Sequence, residues 1–422
     1  MSNQSAGFHL FFECAGSAAN CAVYAGSSPY TGSSQRGFAN FQVDVEEMKA
    51  PAEGSTRKGG PRAILLALGN QFLLRNSYFP NVQYSAGNDV SNAIDMGGVR
   101  RDFITRLTES LFSPKFPKEQ VLELDKEIGV PLFIERENEL DCYKTLGQLF
   151  GRCYRRESDF KMALDLNEPF YEALKSSYEL GSAPWFAIHY SQLRSAQGVD
   201  SLLYPKGEIA PMGKKQLTNL YYLYLEIMDL EKGVLSSAEP SLEELTTFFQ
   251  SSLHCDKFRE ALVEKAKAKL QATLVIAQAM RSYLGATPEP ALCEVSPLQL
   301  KEQIEGRLLT VEAIKGHLIW KSTPTVTPNE ETWSKQILHS WIDNASDENR
   351  CRFVRAVSAN NTLGTTKLRV DLAHRGRDHI PTCHTCSTSI DLSVDCPDQA
   401  TFDRKMELLL CETSAGHGMS IA

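Results

Sequence analysis

From Pro61 onward the apolar positions recur mostly at intervals of three and four, the period of a helix that buries one face. Ile64, Leu65, Leu68, Phe72 and Leu73 make the first stripe, and Val99, Phe103, Leu107 and Leu111 make the next. Leu140–Tyr154 carries a third, with Tyr143, Leu146, Phe150 and Cys153 on one face. On another face Gly147 and Gly151 stand four apart, which permits a neighbouring helix to come close. Helical patterns continue at Glu168–Lys175, Gln216–Glu231, Leu242–Phe249 and Lys257–Leu284. Ser296 before Pro297 caps a short helix that ends at Gly306. Val82–Tyr84 reads as a short strand.

Between Gly316 and Pro328 the helical period fails. Lys321–Pro328, with two prolines among its Ser and Thr residues, reads as an extended connector or hinge, which puts a lobe boundary near Val311–Trp320. Beyond it, Trp333, Ile337, Trp341 and Ile342 predict one helix, and Ser346 caps a second that carries Phe353, Val354 and Val357. Leu368, Val370 and Leu372 alternate with Lys367, Arg369 and Asp371, a half-buried strand. Ser387–Val394 has strand character too, and Thr401–Leu410 is a last helix. The expected class is α+β in two lobes: a large, mainly helical one over 61–316 and a small α+β one over 317–422. Residues 1–60, rich in Ser, Gly and Ala, read as a peripheral or poorly ordered extension.

Composition narrows the function classes. At 422 residues, 42% hydrophobic and 23% charged, the chain has ample material for buried cores. Lys+Arg 44 against Asp+Glu 52 gives 44 − 52 = −8 with no basic run, which disfavours nucleic acid as a partner. The longest apolar runs, such as Ala63–Gly69 and Ala272–Met280, fall short of the roughly 18–20 residues that cross a bilayer, so no membrane partner is expected. The N-terminal apolar part has no basic residue before it and is interrupted by Glu13, unlike a secretory signal. The 11 scattered cysteines then belong to a reducing, cytoplasmic setting and not to a disulfide framework.

Gly-x-Ser-x-Gly, the Walker-type phosphate loop, HExxH and GxGxxG are all missing from the sequence. The dense chemical segment is His379–Leu392. Cys383 and Cys386 have the spacing of a zinc half-site or a redox pair, and His379, Cys383, Cys386 and Cys396 formally supply four ligands. A second paired cluster is missing, and so is the βαβ setting of a thioredoxin-like pair. The segment also fits a single nucleophilic thiol: Cys386 follows His384 and Thr385, comes after the basic His374, Arg375 and Arg377, and precedes a strand. The plain alternative is a small buried residue at a strand start.

The segment IPTCHTCSTSIDL, followed by the helix FDRKMELLL and a tail containing GHGM, resembles the end of HECT-type ubiquitin ligases. SDENRCRFVRAVSANNTLG is similar to the helix and turn that open the small lobe of that family, and SPLQLKEQIEG to the Ser-Pro helix that closes the large lobe. ENELDCYKTLGQLFGRCYRRESDFKMALDLNEPFYEALK resembles the helix pair at the centre of the large lobe, and DMGGVRRDFITRLTESLF the Asp-x-Gly-Gly-x-x-Arg-x-Phe helix near its start. In this order the segments span roughly 61–422.

The resemblance implies a bilobal HECT fold and a ubiquitin-protein transferase with a cysteine thioester intermediate. A ubiquitin-conjugating enzyme would dock on the large lobe, within Ser176–Cys255, and pass ubiquitin to Cys386; a lysine of a protein substrate would then attack the new thioester. His384 and Thr385 would hold the loop and stabilise developing charge. The connector near Lys315–Pro328 would let the small lobe reach both donor and acceptor. No cofactor and no metal belong to that chemistry. Two departures stand in the tail: His417 occupies the place of an aromatic residue between glycines, and MSIA carries no acidic group. They leave open a catalytically impaired scaffold that binds ubiquitin or a conjugating enzyme.

Other residues take plainer readings. Arg100 and Arg101 read as solvated or salt-bridged at a helix start, and Gly97 and Gly98 as a turn set by backbone geometry. Tyr221, Tyr222 and Tyr224 read as core packing.

Overall fold

A computed structural model describes residues 23–24, 40–44, 48, 59–73, 79–86, 89–90, 97–155, 159–205, 211–230, 234–235, 239–285 and 289–414. Along the chain come β1 (Val23–Tyr24), β2 (Asn40–Asp44), α1 (Pro61–Leu68), β3 (Asn81–Ala86), β4 (Asp89–Val90) and α2 (Gly98–Leu111). Then follow β5 (Glu123–Leu124), β6 (Pro131–Leu132), α3 (Glu139–Tyr154), α4 (Glu168–Lys175), α5 (Ala183–Leu193), α6 (Val199–Leu203), α7 (Lys214–Ile227), α8 (Leu242–Gln250) and α9 (Ser252–Leu284). The rest is α10 (Glu289–Glu294), α11 (Pro297–Glu305), α12 (Val311–His317), β7 (Leu318–Ser322), α13 (Pro328–Asn344), α14 (Asp347–Ser358), β8 (Leu368–Ala373), β9 (Thr382–His384), β10 (Ser389–Ser393) and α15 (Gln399–Ser414). The molecule is thus mixed helix and sheet, with helix dominant. No helix among the described residues is long and apolar enough to cross a membrane.

Two compact units divide the chain. One comprises Met1–Val121, Arg152–Leu164 and Glu302–Ala422; the other comprises Leu122–Gly151 and Asp165–Lys301. This partition differs from a cut near residue 316, because polar bonds inside the first unit tie its C-terminal part to α2 and to the 159–162 segment. Thr105 Oγ1 donates to Ala359 O at 3.2 Å, and Asp159 accepts from the backbone N–H groups of Thr365 and Thr366 at 2.8 and 3.1 Å. The N–H of Lys161 donates to Asn360 Oδ1 at 3.3 Å.

In the second unit the glycine reading of α3 holds. A Cβ on Gly147 would lie 2.7 Å from Ala279 Cβ of α9, so only glycine admits that approach. Tyr221 and Tyr224 pack with Phe248 as the core reading expects, whereas Tyr222 is exposed.

The first unit holds two four-stranded sheets, ordered β1-β2-β3-β4 and β7-β8-β10-β9. Here the reading of 1–60 needs correction at β2. Phe41 and Val43 are fully buried, β2 pairs in parallel with β3, and the Phe41 ring meets that of Phe103 edge-on at 5.8 Å. Polar neighbours mask a strand whose alternation is only five residues long. Most of the remaining extension lies outside the described residues.

In the second sheet β7, β8 and β10 run parallel and β9 is antiparallel to β10. Leu368, Val370 and Leu372 face a core that includes Trp341, Phe353, Ile390, Phe402 and Met406. The extended connector or hinge expected at Lys321–Pro328 is extended at its start, where Lys321 and Ser322 close a strand. Leu318–Ser322 is an edge strand in register with β8, and the Thr323 N–H continues the ladder to Leu372 O at 3.0 Å. Thr327 and Glu330 form a capping box at the start of α13, with Pro328 as its first residue. The Ser, Thr and Pro residues that break the helical period do so to build a turn and a cap.

Candidate functional site

The β9–β10 hairpin places the cysteines. His384 pairs with Ser389, Cys383 with Ile390 and Thr382 with Asp391, leaving Thr385–Thr388 as the connection. Residues Thr385–Ser387 form a single 3-10 turn, closed by Thr388 N–H to Thr385 O at 3.3 Å. Strand alternation turns Cys383 inward, and the turn carries Cys386 outward. Cys383 packs against the hydrophobic core, and burial pushes its thiol up to about 12. Cys386, three residues later at the turn, is exposed.

Thr388 ends the turn in the left-handed region, φ 52°, unusual for a β-branched residue and costing about 1 kcal/mol. Its surroundings hold it there. The side chain is buried, and its carbonyl accepts from the Arg369 N–H of β8 at 2.9 Å. Ser387 Oγ donates to His384 O at 3.3 Å and lies 2.8 Å from Ser389 Oγ.

His384 is exposed, with Nε2 3.2 Å from Asp391 Oδ2; Arg375 Nη2 reaches the same oxygen at 2.8 Å. When Nε2 carries the proton it donates to Asp391, and Nδ1 is left as an acceptor. His384 is therefore steered across the hairpin by a carboxylate that Arg375 also holds.

The start of α2 meets this turn. Gly97 takes φ 105° to begin the helix, and Gly98 follows as its first residue. A Cβ on Gly98 would lie 2.7 Å from Thr385 Oγ1, 3.1 Å from Cys386 N and 3.2 Å from Cys386 Sγ. The bare backbone at the helix N-terminus thus lies against the sulfur, where first-turn amides and the helix dipole favour negative charge. Arg101 is buried at 6% exposure, so its reading as a solvated residue is corrected. It donates from Nε to Ser358 O at 2.8 Å, and from Nη2 to Thr385 O and, at 3.4 Å, to Thr388 Oγ1.

The four formal zinc ligands are not brought together. Among the described residues no group of three or more His, Cys, Asp or Glu side chains is placed to hold a metal. Cys396 is buried, with Sγ 3.7 Å from Asp398 O, and Cys383 faces the core. Burial, reinforced by Arg375, lowers the pKa of His379. Of the residues singled out from sequence, His384, Thr385 and Cys386 share one turn. Arg375, noted in the basic stretch before the turn, joins them through Asp391. Gly98 and Arg101, which the sequence presents only as a turn and a helix start, join them as well: the Arg101 to Thr385 bond spans 284 positions, beyond the reach of any local pattern. The one local hint is a doublet of glycines ahead of a helix that starts with two arginines and no acid. His417 and the rest of the tail lie outside the described residues.

No protein-family model matches the chain. The curated proteins give no match either.

Proposed function

We propose that the chain is a HECT-type ubiquitin ligase, bilobal in that family's manner, that takes ubiquitin from a conjugating enzyme as a thioester on Cys386 and passes it to a substrate lysine. The observation that carries the reading is the contrast within one hairpin: Cys386 exposed at the turn, Cys383 half-buried against the hydrophobic core with its thiol pushed up to about 12. A turn that presents one sulfur and withdraws the other suits a thiol nucleophile and not a paired metal or redox site.

The chemistry asks little beyond placement. In the first step the Cys386 sulfur attacks the thioester carbonyl, a new C–S bond forms, and the conjugating enzyme's cysteine leaves as thiolate. In the second the lysine amine attacks, Cys386 leaves, and the amine proton goes to solvent or to a nearby acceptor. Bonds of the same kind are exchanged in the first step, so catalysis is mainly positioning and stabilisation of the tetrahedral oxyanion. The α2 N-terminus, whose Gly98 lies against the Cys386 sulfur, would favour that charge, and Thr385 and His384 would hold the turn. Exposed Tyr222, Leu230, Val234, Leu242 and Leu253 offer apolar surface for a conjugating enzyme within the expected docking stretch. The compartment that fits these partners and free thiols is the cytoplasm.

A second reading is favoured by one sequence feature, His417 in place of an aromatic residue in the tail. It makes the chain a scaffold that binds a conjugating enzyme or ubiquitin without completing lysine transfer. Incubation with activating enzyme, a panel of conjugating enzymes, ATP and labelled ubiquitin separates the two. The proposal expects a thiol-labile ubiquitin adduct on a non-reducing gel that decays when free lysine or a protein acceptor is added. An adduct that persists supports the scaffold, and no adduct from folded protein with any conjugating enzyme removes the ligase reading.

A further inference from the structure

We propose that Arg101 is the positioning residue of the Cys386 turn, and so governs how fast this sulfur reacts without touching ubiquitin itself. The inference rests on the reading of Cys386 as the nucleophile. Arg101 donates to Thr385 O on one side of Cys386 and to Thr388 Oγ1 on the other, so one guanidinium spans the turn. Its Nε bond to Ser358 O fixes the guanidinium against the end of α14.

The position near the start of α2 does not favour a cation. A cation near a helix N-terminus has the wrong sign for the dipole, and the first turn carries no acid to offset it. Burying that cation at 6% exposure adds a desolvation cost that hydrogen bonds must meet. Two of the bonds that meet it go to the cysteine turn, and a third goes to Ser358 O. Those to the turn also support Thr388 in its left-handed conformation, which the side chain alone would resist. The consequence is a turn pinned at both ends while the cysteine between them stays exposed. Its sulfur then lies beside the Gly98 backbone in a field that favours developing negative charge.

Lysine keeps the charge but not the planar fork, so Arg101→Lys tests geometry rather than charge. Two readouts on the full chain decide. Amide hydrogen exchange across Thr385–Ser389 is expected to quicken by about tenfold or more in Arg101→Lys, with the rest of the sheet unchanged. Single-turnover transfer from charged conjugating enzyme is expected to slow by about tenfold or more at saturation, while the half-saturating concentration stays within about twofold. Where Arg101→Lys does not fold, Thr388→Ala replaces it, with about threefold expected in each readout. Unchanged exchange, or a saturating rate within about twofold of wild type, overturns the inference. If the wild type takes no ubiquitin at all, the nucleophile reading fails, and the exchange arm still decides whether Arg101 holds the turn.

Discussion

Cys383 and Cys386 are separated by two residues and share a sequence neighbourhood, yet the hairpin gives them opposite surroundings. Cys383 occupies an inward strand position, where its thiol is pushed up to about 12; Cys386 sits at a turn against a glycine. Gly98 is the residue whose size matters most. At its position alanine would place a methyl 3.1 Å from Cys386 N and 2.7 Å from Thr385 Oγ1, and backbone cannot yield as a side-chain tip can. Gly98→Ala is therefore expected to displace the turn, at a cost of about 1–3 kcal/mol in urea unfolding. Ubiquitin charging should fall about tenfold or more in the same variant. Full charging with unchanged stability would show that the turn has slack at this contact. Cys386, His384 and Thr385 are legible in the sequence because their chemistry is concentrated in one short run. Arg101 and Gly98 are not, because their partners are fixed only when distant segments meet.

Among elements, the hairpin owes its frame to the loop before it. Asp395 accepts from the backbone N–H groups of Arg375 and Gly376 at 3.0 and 2.7 Å and lies 2.9 Å from His374 Nδ1. The His374 hydrogen bond, then the Gly376 amide, bring the Asp395 carboxyl down to about 2, and the Asp395 bond raises His374. The signs set the pH window. A histidine whose pKa is raised by folding stabilises fully below its ordinary value of 6.5, and that contribution is lost as pH rises through the raised value. The Asp395 share is present above 3.8 and is lost as pH falls toward about 2. Stability of the wild type is expected to decline from pH 6.5 upward more steeply than that of His374→Gln, read by urea midpoints across the range. Parallel curves would mean the pair contributes nothing.

Elements with long apolar stripes, such as α2 and α3, are legible from period alone. β2 and β7 are not: each is five residues long, and β7 is followed by a Ser/Thr/Pro run whose local preference is a turn. The parallel pairing with β8 decides that Leu318–Ser322 is strand, and that pairing is invisible to a local reading.

At the scale of the molecule, the C-terminal segment groups with α2 and the 159–162 segment, because polar side chains fasten it there. Burial alone would raise the Asp159 carboxyl, but bonds from Thr365 and Thr366 outweigh it and hold the carboxyl below its ordinary value. Such fasteners involve single residues far apart in sequence, so the division into units is less legible than the helices it groups.

In the proposed reaction Cys386, and not its neighbour, carries the acyl group. Cys386→Ala and Cys383→Ala, compared in one charging reaction with labelled ubiquitin and resolved without reducing agent, decide this. The thiol-labile adduct is expected to disappear in Cys386→Ala and to survive in Cys383→Ala. An adduct that survives in Cys386→Ala, or that depends on Cys383, would contradict that assignment.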